Sequence, residues 1–280
     1  MPTLAWLTDL HLDHVHRDEH DRVYQTIAAR CADTAADAVL VGGDTATARS
    51  LLPCLERMSQ VIERPLHLVL GNHDYYRGSI RDVRHAVRDL AARSAWIRWL
   101  PASGPIPLAP DTVLVGHGGW GDGRLGSGGR SEVQLADFSL IAELRGLGPA
   151  ALFEQLGRLG DEAAASLASA LEATTPSHTH VLVLTHVPPF REACWHEGQI
   201  SGDPFLPHFA CAATGAVLRA FADAHPARQV TVLCGHTHSP GEARIRPNLH
   251  VRTGGARYGE PAVQDVITVG GGTRPPPAAS

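Results

Sequence analysis

The sequence predicts an α/β fold, and two features of its pattern indicate this. Short apolar runs, typical of buried strands and bounded by turn residues, recur along the chain. In the first half, stretches with helical periodicity separate these runs; one of them places Ile80, Val83, Val87 and Leu90 on a single helix face. Strands that alternate with helices in this way are typical of right-handed crossovers and a largely parallel sheet.

The elements predicted from this pattern continue to the end of the chain. The strands are Leu4–Leu7, Ala38–Val41, Leu66–Leu70, Thr112–Val115, Val181–Leu184, Gln229–Leu233, Ala243–Ile245, Leu249–Val251 and Ala262–Val269. The helices lie near Glu19–Ala32, Thr47–Ile62, Ile80–Arg93, Asp137–Leu144, Pro149–Ala173 and Ala212–Ala224. We expect one domain over residues 1–273, with a helical insertion at about 130–175, and a disordered tail at 274–280 that holds three consecutive prolines.

Composition narrows the classes of function. The 24 basic residues are outnumbered by 29 acidic residues, so the chain lacks the basic footprint of a protein that binds long nucleic acids. The five cysteines are widely spaced and form no C-x-x-C pair, which favours reduced thiols and a cytoplasmic location. No apolar stretch approaches the ~18 residues that a membrane span needs.

Side chains that bind metals follow five of the predicted strands. They are Asp9 and His11, Asp44, Asn72 with His73 and Asp74, His186, and His236 with His238. In an α/β sheet the ligand site lies beyond the carboxyl ends of the strands, so we expect these clusters to converge. Residues at i and i+2 of an extended segment face the same way, which allows Asp9 and His11 to reach one ion together. The sequence therefore predicts a metal centre, most simply one with two ions.

The order and spacing of these clusters resemble the metallophosphoesterase, or calcineurin-like phosphoesterase, family. The family pattern is D-x-H, G-D, G-N-H-[DE], H and G-H-x-H, and this chain has every element of it between residues 9 and 238. The resemblance implies a four-layer α/β/β/α sandwich, with much of the second sheet supplied by the strands near the C-terminus. It also implies an enzyme that hydrolyses phosphate mono- or diesters.

The resemblance further implies a role for each residue. One metal is expected on Asp9, His11 and His238, and a second on Asn72, His186 and His236, with Asp44 as the bridging carboxylate. His73 is expected over the leaving-group oxygen, where it would donate a proton, and Asp74 is expected to orient it; the alternative for Asp74 is a helix cap.

The expected chemistry uses two divalent cations, and mixed nitrogen and oxygen ligands suit Mn, Fe, Zn, Co or Ni. A hydroxide that bridges the two ions would attack phosphorus. The expected substrate is a small phosphoester, such as a nucleotide. The alternatives are a catalytically silent binding scaffold of the same fold and a nuclease on the same centre. The sequence leaves the oligomeric state open.

Two loops leave their roles open. In the glycine-rich stretch 116–129, a G-x-G-x-x-G pattern is a weak indication of a dinucleotide site because no helix begins there. The stretch is either a simple connection or a substrate-facing lid; the side chains involved would be His117, Trp120, Arg124 and Arg130. The segment Phe190–Pro207 is either a packed surface loop or a wall of the cleft, with Arg191, Trp195, His196 and Glu197. His14, His16 and His20 are expected in a solvated loop or at the rim of the site.

Overall fold

Two β-sheets form the centre of the computed structural model, which describes residues 1–270. The strands of the first sheet are β1 (Thr3–Leu7), β2 (Ala38–Val41), β3 (Leu66–Leu68), β4 (Ile97–Trp99) and β13 (Val263–Thr268). Those of the second are β5 (Ile106–Ala109), β6 (Thr112–Gly116), β7 (His180–Leu184), β10 (Gln229–Cys234), β11 (Gly241–Arg246) and β12 (Leu249–Thr253). A separate hairpin joins β8 (Trp195–His196) to β9 (Gln199–Ile200). The tail expected at 274–280 lies outside the described residues.

The strand orders are β13-β1-β2-β3-β4 and β11-β12-β10-β7-β6-β5. Strands β1 to β4 run parallel to one another, as do β6, β7, β10 and β12. The last strand, β13, pairs antiparallel with β1 and so returns to the first sheet, whereas β10, β11 and β12 supply half of the second sheet. The carboxyl ends of β1, β2 and β3 and those of β7 and β10 carry the loops with the predicted metal ligands.

Helices cover the outer faces of both sheets. Those within the described residues are α1 (His20–Asp33), α2 (Leu51–Ile62), α3 (Ile80–Arg93), α4 (Leu100–Ser103), α5 (Asp137–Leu140), α6 (Pro149–Glu172), α7 (Leu206–Phe209) and α8 (Ala212–Ala224). Helices α1, α2 and α3 pack on the first sheet, and α8 with the second half of α6 packs on the second sheet. The predicted four-layer α/β/β/α sandwich is confirmed.

Strand β1 shows how the alternation of side chains builds two interfaces. Ala5 and Leu7 face the helical layer, while Leu4 and Trp6 face the second sheet and contact its apolar side chains. All four are at most 2 % exposed. Fully burying a leucine of this kind stabilises the fold by roughly 1.5–3 kcal/mol, so both faces of the strand hold the layers together.

Helix α3 has the predicted bounds because its sequence marks both the start and the buried face. The Ser79 side chain accepts a hydrogen bond from the Asp82 backbone N–H at 3.3 Å and so caps the first turn. The carboxylate of Glu143 accepts from the backbone N–H groups of Ile80 and Arg81, at 2.9 and 3.1 Å. The segment at 130–175 therefore contacts the helix directly at its N-terminus.

Besides the hairpin of β8 and β9, two short strands of the main sheets were not predicted from the pattern. Strand β4 has only three residues, and β5 is an edge strand that contains Pro107, which removes a backbone donor. Neither carries a period-2 pattern long enough to recognise. Within residues 1–270 no helix is long and apolar enough to cross a membrane.

Candidate metal centre

Three of the predicted ligands form one cluster at the edge of the first sheet. The carboxylate Oδ1 of Asp9 lies 3.4 Å from Nε2 of His238 and 3.9 Å from Nε2 of His11. The two imidazole Nε2 atoms lie 3.0 Å apart. Asp9 and His11 are buried, at 2 % and 0 % exposure. The structure therefore brings together the three side chains expected on the first metal.

The remaining predicted ligands form a second cluster. Asp44 belongs to this cluster and also lies near His11 of the first cluster. Oδ2 of Asp44 lies 3.9 Å from Nε2 of His11 and 3.3 Å from Nε2 of His186. The same His186 nitrogen lies 3.1 Å from Oδ1 of Asn72. One potential ligand atom from each of Asp44, His186 and His236 lies within 4.8 Å of the other two. All seven predicted ligands are therefore in one region, with Asp44 between the two groups.

The orientation of the imidazoles is fixed from behind by backbone carbonyls. Nδ1 of His186 donates to the Gly42 carbonyl at 2.9 Å, and Nε2 of His236 donates to the His208 carbonyl at 3.0 Å. With the proton on those nitrogens, the opposite nitrogen of each neutral ring carries a lone pair into the cluster. At His186 this lone pair would face two oxygen acceptors, an arrangement that a cation stabilises.

The electrostatics also favour cations between these side chains. Burial raises the pKa of Asp9, but His186 and His238 outweigh it and bring the pKa to about 2. Burial likewise opposes ionisation of Asp44, yet His186 and His73 hold its pKa well below the usual range. Burial lowers the pKa of His11 to about 4. Ionised carboxylates beside imidazoles that release a proton when they bind a cation form a donor set suited to divalent transition metals.

Five of the seven ligand candidates have left-handed backbone conformations. The φ angles are +52° at Asp9, +43° at His11, +51° at Asp44, +71° at His236 and +63° at His238. Such conformations are uncommon outside glycine and cost about 1–3 kcal/mol each, and they cluster where a site needs a particular side-chain direction. The loops after β1, β2 and β10 therefore store strain in order to aim these side chains.

Close packing explains the glycine that precedes the last motif. A Cβ at Gly235 would overlap Oδ2 of Asp9 and Oγ1 of Thr8. The adjacent backbone N–H of His236 donates to both oxygens of Asp9, at 3.0 and 3.1 Å. The glycine thus allows the two ends of the predicted site, 227 residues apart in sequence, to meet.

His73 points into the centre, but Asp74 does not orient it. A ring nitrogen of His73 and ligand atoms of His11 and Asp44 all lie within 4.8 Å of one another, and the ring stacks on Tyr76 at 4.1 Å. The Asp74 carboxylate instead accepts four backbone N–H groups, from Asp44, Thr45, Ala46 and Gly71, at 2.8–3.1 Å.

The expected orienting role of Asp74 is therefore wrong in this geometry. Within residues 1–270 no hydrogen bond joins Asp74 to the His73 ring, whose buried Nδ1 has no partner there. The four amide donors already occupy both oxygens of Asp74. Asp74 holds the loop after β2 against the loop after β3, which fixes the position of Asp44.

The sequence missed three side chains around the site. Asp137, at the start of α5, accepts from Nδ2 of Asn72 at 2.9 Å and from the Tyr76 hydroxyl at 2.6 Å, and so orients the amide. Tyr258 lies over the first cluster, with its ring centroid 4.6 Å from that of His11. Asp137 was recognisable only as a residue of the predicted insertion, and no sequence signal distinguished Tyr76 or Tyr258.

The glycine-rich stretch 116–129 packs against the body of the protein. Trp120 is 4 % exposed and its ring lies 5.7 Å from that of Tyr75, so its side chain is part of the core rather than of a substrate-facing surface. Arg124 pairs with Asp122 at 3.1 Å and with Asp161 at 2.7 Å. His117 is also buried, and its Nδ1 accepts from the Gly119 backbone N–H at 3.1 Å, while burial lowers its pKa to about 3. Arg130 is exposed.

The other open segments also have defined positions. Nδ1 of His196 donates to the carbonyl of Thr237, which lies between His236 and His238, at 3.1 Å, and Arg191 pairs with Asp203 at 2.8 Å. Trp195 is half-buried and Glu197 is exposed. His14 stacks near Tyr258, with ring centroids 4.3 Å apart. His16 is exposed, whereas Nε2 of His20 donates to the Leu12 carbonyl at 2.9 Å.

The fold and the paired clusters define an α/β/β/α sandwich with candidate metal ligands at the carboxyl edge of its sheets. The family model of the calcineurin-like phosphoesterases matches residues 2–240, so the chain belongs to this family. No curated protein sequence gives a significant match.

Two solved structures are similar in fold. Phosphopantetheinyl hydrolase from Mycobacterium tuberculosis is 16 % identical with a TM-score of 0.65, over 92 % of this chain and 90 % of that one. A dimetal phosphatase from Danio rerio is 16 % identical with a TM-score of 0.55, over 91 % and 87 % of the two chains. At this identity the likeness concerns the fold alone.

Proposed function

We propose that this chain hydrolyses small phosphate mono- or diesters with two divalent cations. The observation that carries the proposal is the pair of ligand groups, one of Asp9, His11 and His238 and one of Asp44, His186 and His236, which adjoin at Asp44. When bound, two such cations would lower the pKa of a shared water, which supplies the nucleophile, and neutralise the phosphate oxygens.

The residues around the centre support the same division of roles. Asp44, placed between the groups, supplies a negative charge that offsets repulsion between two cations. Asn72 adds a neutral oxygen ligand, and Asp137 holds its amide group so that Oδ1 faces His186. His73 directs a ring nitrogen into the centre, where it can donate a proton to the departing alkoxide.

The donor atoms support particular metals, and the cysteine thiols support a particular compartment. Mixed nitrogen and oxygen donors favour manganese, iron, zinc, cobalt or nickel. All five cysteines are buried and free in the structure, which supports a reducing compartment, the cytoplasm. The net charge of −5 favours a small substrate, such as a nucleotide, over a long polynucleotide.

A substrate panel combined with metal analysis tests the proposal. The purified protein is loaded in turn with each of the five metals and assayed with p-nitrophenyl phosphate, bis-p-nitrophenyl phosphate, nucleotides and single-stranded DNA. We expect about two metal equivalents per chain and turnover of small esters that changes little with salt. Bound metal without any turnover would indicate a binding scaffold, and salt-sensitive turnover of DNA alone would indicate a nuclease.

A further inference from the structure

Tyr258 is an exposed aromatic side chain at the mouth of the candidate metal centre. It lies in the loop between β12 and β13, and 51 % of it is exposed. Its ring centroid lies 4.6 Å from that of His11 and 5.2 Å from that of His238, two of the ligand candidates. His14 extends the same surface at 4.3 Å. The first cluster therefore has a wall made of aromatic rings.

The position of this wall is fixed by the ligand loop itself. The backbone N–H of Ala256 donates to the His238 carbonyl at 3.1 Å, and the backbone N–H of Glu260 donates to the Arg257 carbonyl at 3.1 Å. The turn that carries Tyr258 is thereby tied to the last metal-ligand motif. A substrate that reaches the centre meets a ring held at a defined place rather than a free surface side chain.

We propose that Tyr258 determines specificity for the leaving group, because its ring contacts the alcohol part of the substrate and favours phosphoesters with an aromatic or flat unsaturated group near the ester oxygen. The proposal rests on the proposed function, in which His73 serves the leaving-group oxygen. It concerns binding of the ester group and involves no proton transfer by Tyr258.

The positions of Tyr76 and Tyr258 around the His73 ring support this contact with the leaving group. Tyr76 stacks on the His73 ring at 4.1 Å with an interplanar angle of 27° and so covers one face. Tyr258 lies 6.4 Å from the same ring at an angle of 32°. A group attached to the oxygen beside His73 therefore leaves the centre along the side where Tyr258 stands.

The exposure and the aromatic chemistry of Tyr258 also support this contact. Six large hydrophobic side chains are exposed within residues 1–270, and Tyr258 is the most exposed aromatic among them. A single exposed aromatic side chain needs no functional explanation by itself, and what distinguishes Tyr258 is its position against the rings of His11 and His238 at the candidate metal centre. Aromatic rings at centroid distances of about 4.5–7 Å gain about 0.5–1.5 kcal/mol beyond the area they bury. An aromatic ester group would obtain this gain against Tyr258, and an aliphatic group would not.

A pair of matched substrates tests the proposal. Benzyl phosphate and butyl phosphate are both esters of primary alcohols, so their leaving groups are similar and the ring is the main difference. We expect Tyr258→Ala to reduce kcat/KM on benzyl phosphate about 2- to 10-fold more than on butyl phosphate, chiefly through KM. Tyr258→Phe keeps the ring and should retain the wild-type ratio. Trp96→Ala removes an exposed aromatic that precedes β4, at the opposite end of the parallel strands, and should change neither substrate.

Binding of non-hydrolysable analogues supplies a readout that does not need turnover. Calorimetry with benzylphosphonate and butylphosphonate on the metal-loaded protein should show a preference for the benzyl compound that Tyr258→Ala removes. An equal loss on both esters, or a loss in Tyr258→Phe as large as in Tyr258→Ala, would overturn the proposal. A wild-type protein that binds metal and prefers the benzyl analogue but hydrolyses neither ester would refute the proposed function while supporting the role of Tyr258.

Discussion

Oδ2 of Asp44 lies 3.3 Å from Nε2 of His186, although the two residues follow strands of different sheets. Asp44 follows β2 of the first sheet, and His186 follows β7 of the second. The other ring nitrogen of His186 donates to the Gly42 carbonyl at 2.9 Å, next to the Asp44 loop. The candidate metal centre therefore joins the two sheets at their carboxyl ends, and whatever binds there also affects how the layers pack.

Replacing Asp44 with Asn should abolish turnover while leaving the fold intact. In the wild-type structure, Oδ1 of Asp44 accepts the backbone N–H of His73 at 2.8 Å, and the amide oxygen of Asn can still accept it. The negative charge between the two clusters, however, is lost. Changes to groups that hydrogen-bond to a metal ligand reduce metal affinity or activity about 10- to 100-fold. Replacing a ligand shared by both clusters should therefore reduce activity by more than about 100-fold. Steady-state kinetics with metal analysis measures this, and the exposed Asp89→Asn is the control. Wild-type kcat in Asp44→Asn would contradict the shared-ligand role.

The convergence of the ligand candidates could be predicted from the sequence because each candidate follows a strand whose ends are marked by neighbouring residues. Asp9 and His186 end apolar runs that only a buried strand explains, and parallel pairing brings such ends to one edge. Tyr258 and Asp137 could not be predicted in the same way, since each comes from an irregular loop or a four-residue helix. Their positions depend on tertiary packing that leaves no period in the sequence. The burial of Trp120 could not be predicted either, because the glycine-rich sequence around it carries no periodic pattern that marks a core position.

Replacing His73 with Ala should slow turnover most for esters with poor leaving groups. The His73 ring can protonate a departing alkoxide, but p-nitrophenolate leaves readily without a proton. We expect about a 100- to 10,000-fold loss on an alkyl phosphate and a smaller loss on p-nitrophenyl phosphate. The ratio of kcat values on the two substrates measures the difference. Equal losses would show that His73 serves the site in another way, such as holding the ring of His11.

Replacing Asp74 with Asn should lower stability without changing leaving-group selectivity. The Asp74 carboxylate is 0 % exposed and accepts four backbone N–H groups, whereas an Asn side chain would turn an NH₂ group towards two of them. Leaving these buried donors unpaired should reduce the free energy of unfolding by about 2–4 kcal/mol. Urea unfolding measures the loss, and the exposed Asp33→Asn is the matched control. A change in the alkyl to p-nitrophenyl ratio like that of His73→Ala, with stability unchanged, would restore the orienting role that the structure contradicts.

The metal-free protein should lose stability as the pH rises from about 7.5 to 8.5. Burial lowers the pKa of His186, but Asp44 and Asp9 outweigh burial and raise it to about 10. The folded protein therefore holds this proton more tightly than the unfolded chain, in which the pKa of histidine is about 6.5. The contribution is complete below pH 6.5 and declines as the pH rises towards 10, by at most about 1.4 kcal/mol per pH unit.

Comparison with the His186→Gln variant separates the contribution of His186 from those of the other buried groups. Histidines with lowered pKa values, such as His11 and His236, change their contribution below pH 6.5. Burial lowers the pKa of His238 but Asp9 outweighs burial and raises it, and the buried thiols ionise in the unfolded chain from about pH 7.5, so both reduce stability across this range in the wild type and the variant alike. Urea unfolding of chelator-treated protein should therefore show a falling free energy in the wild type and a flatter profile in His186→Gln. The metal-loaded wild type should show a flatter profile than the metal-free wild type, because cations replace the proton between His186 and Asp44. A metal-free wild type whose stability stays level or increases across this range would show that the charge of Asp44 is balanced elsewhere.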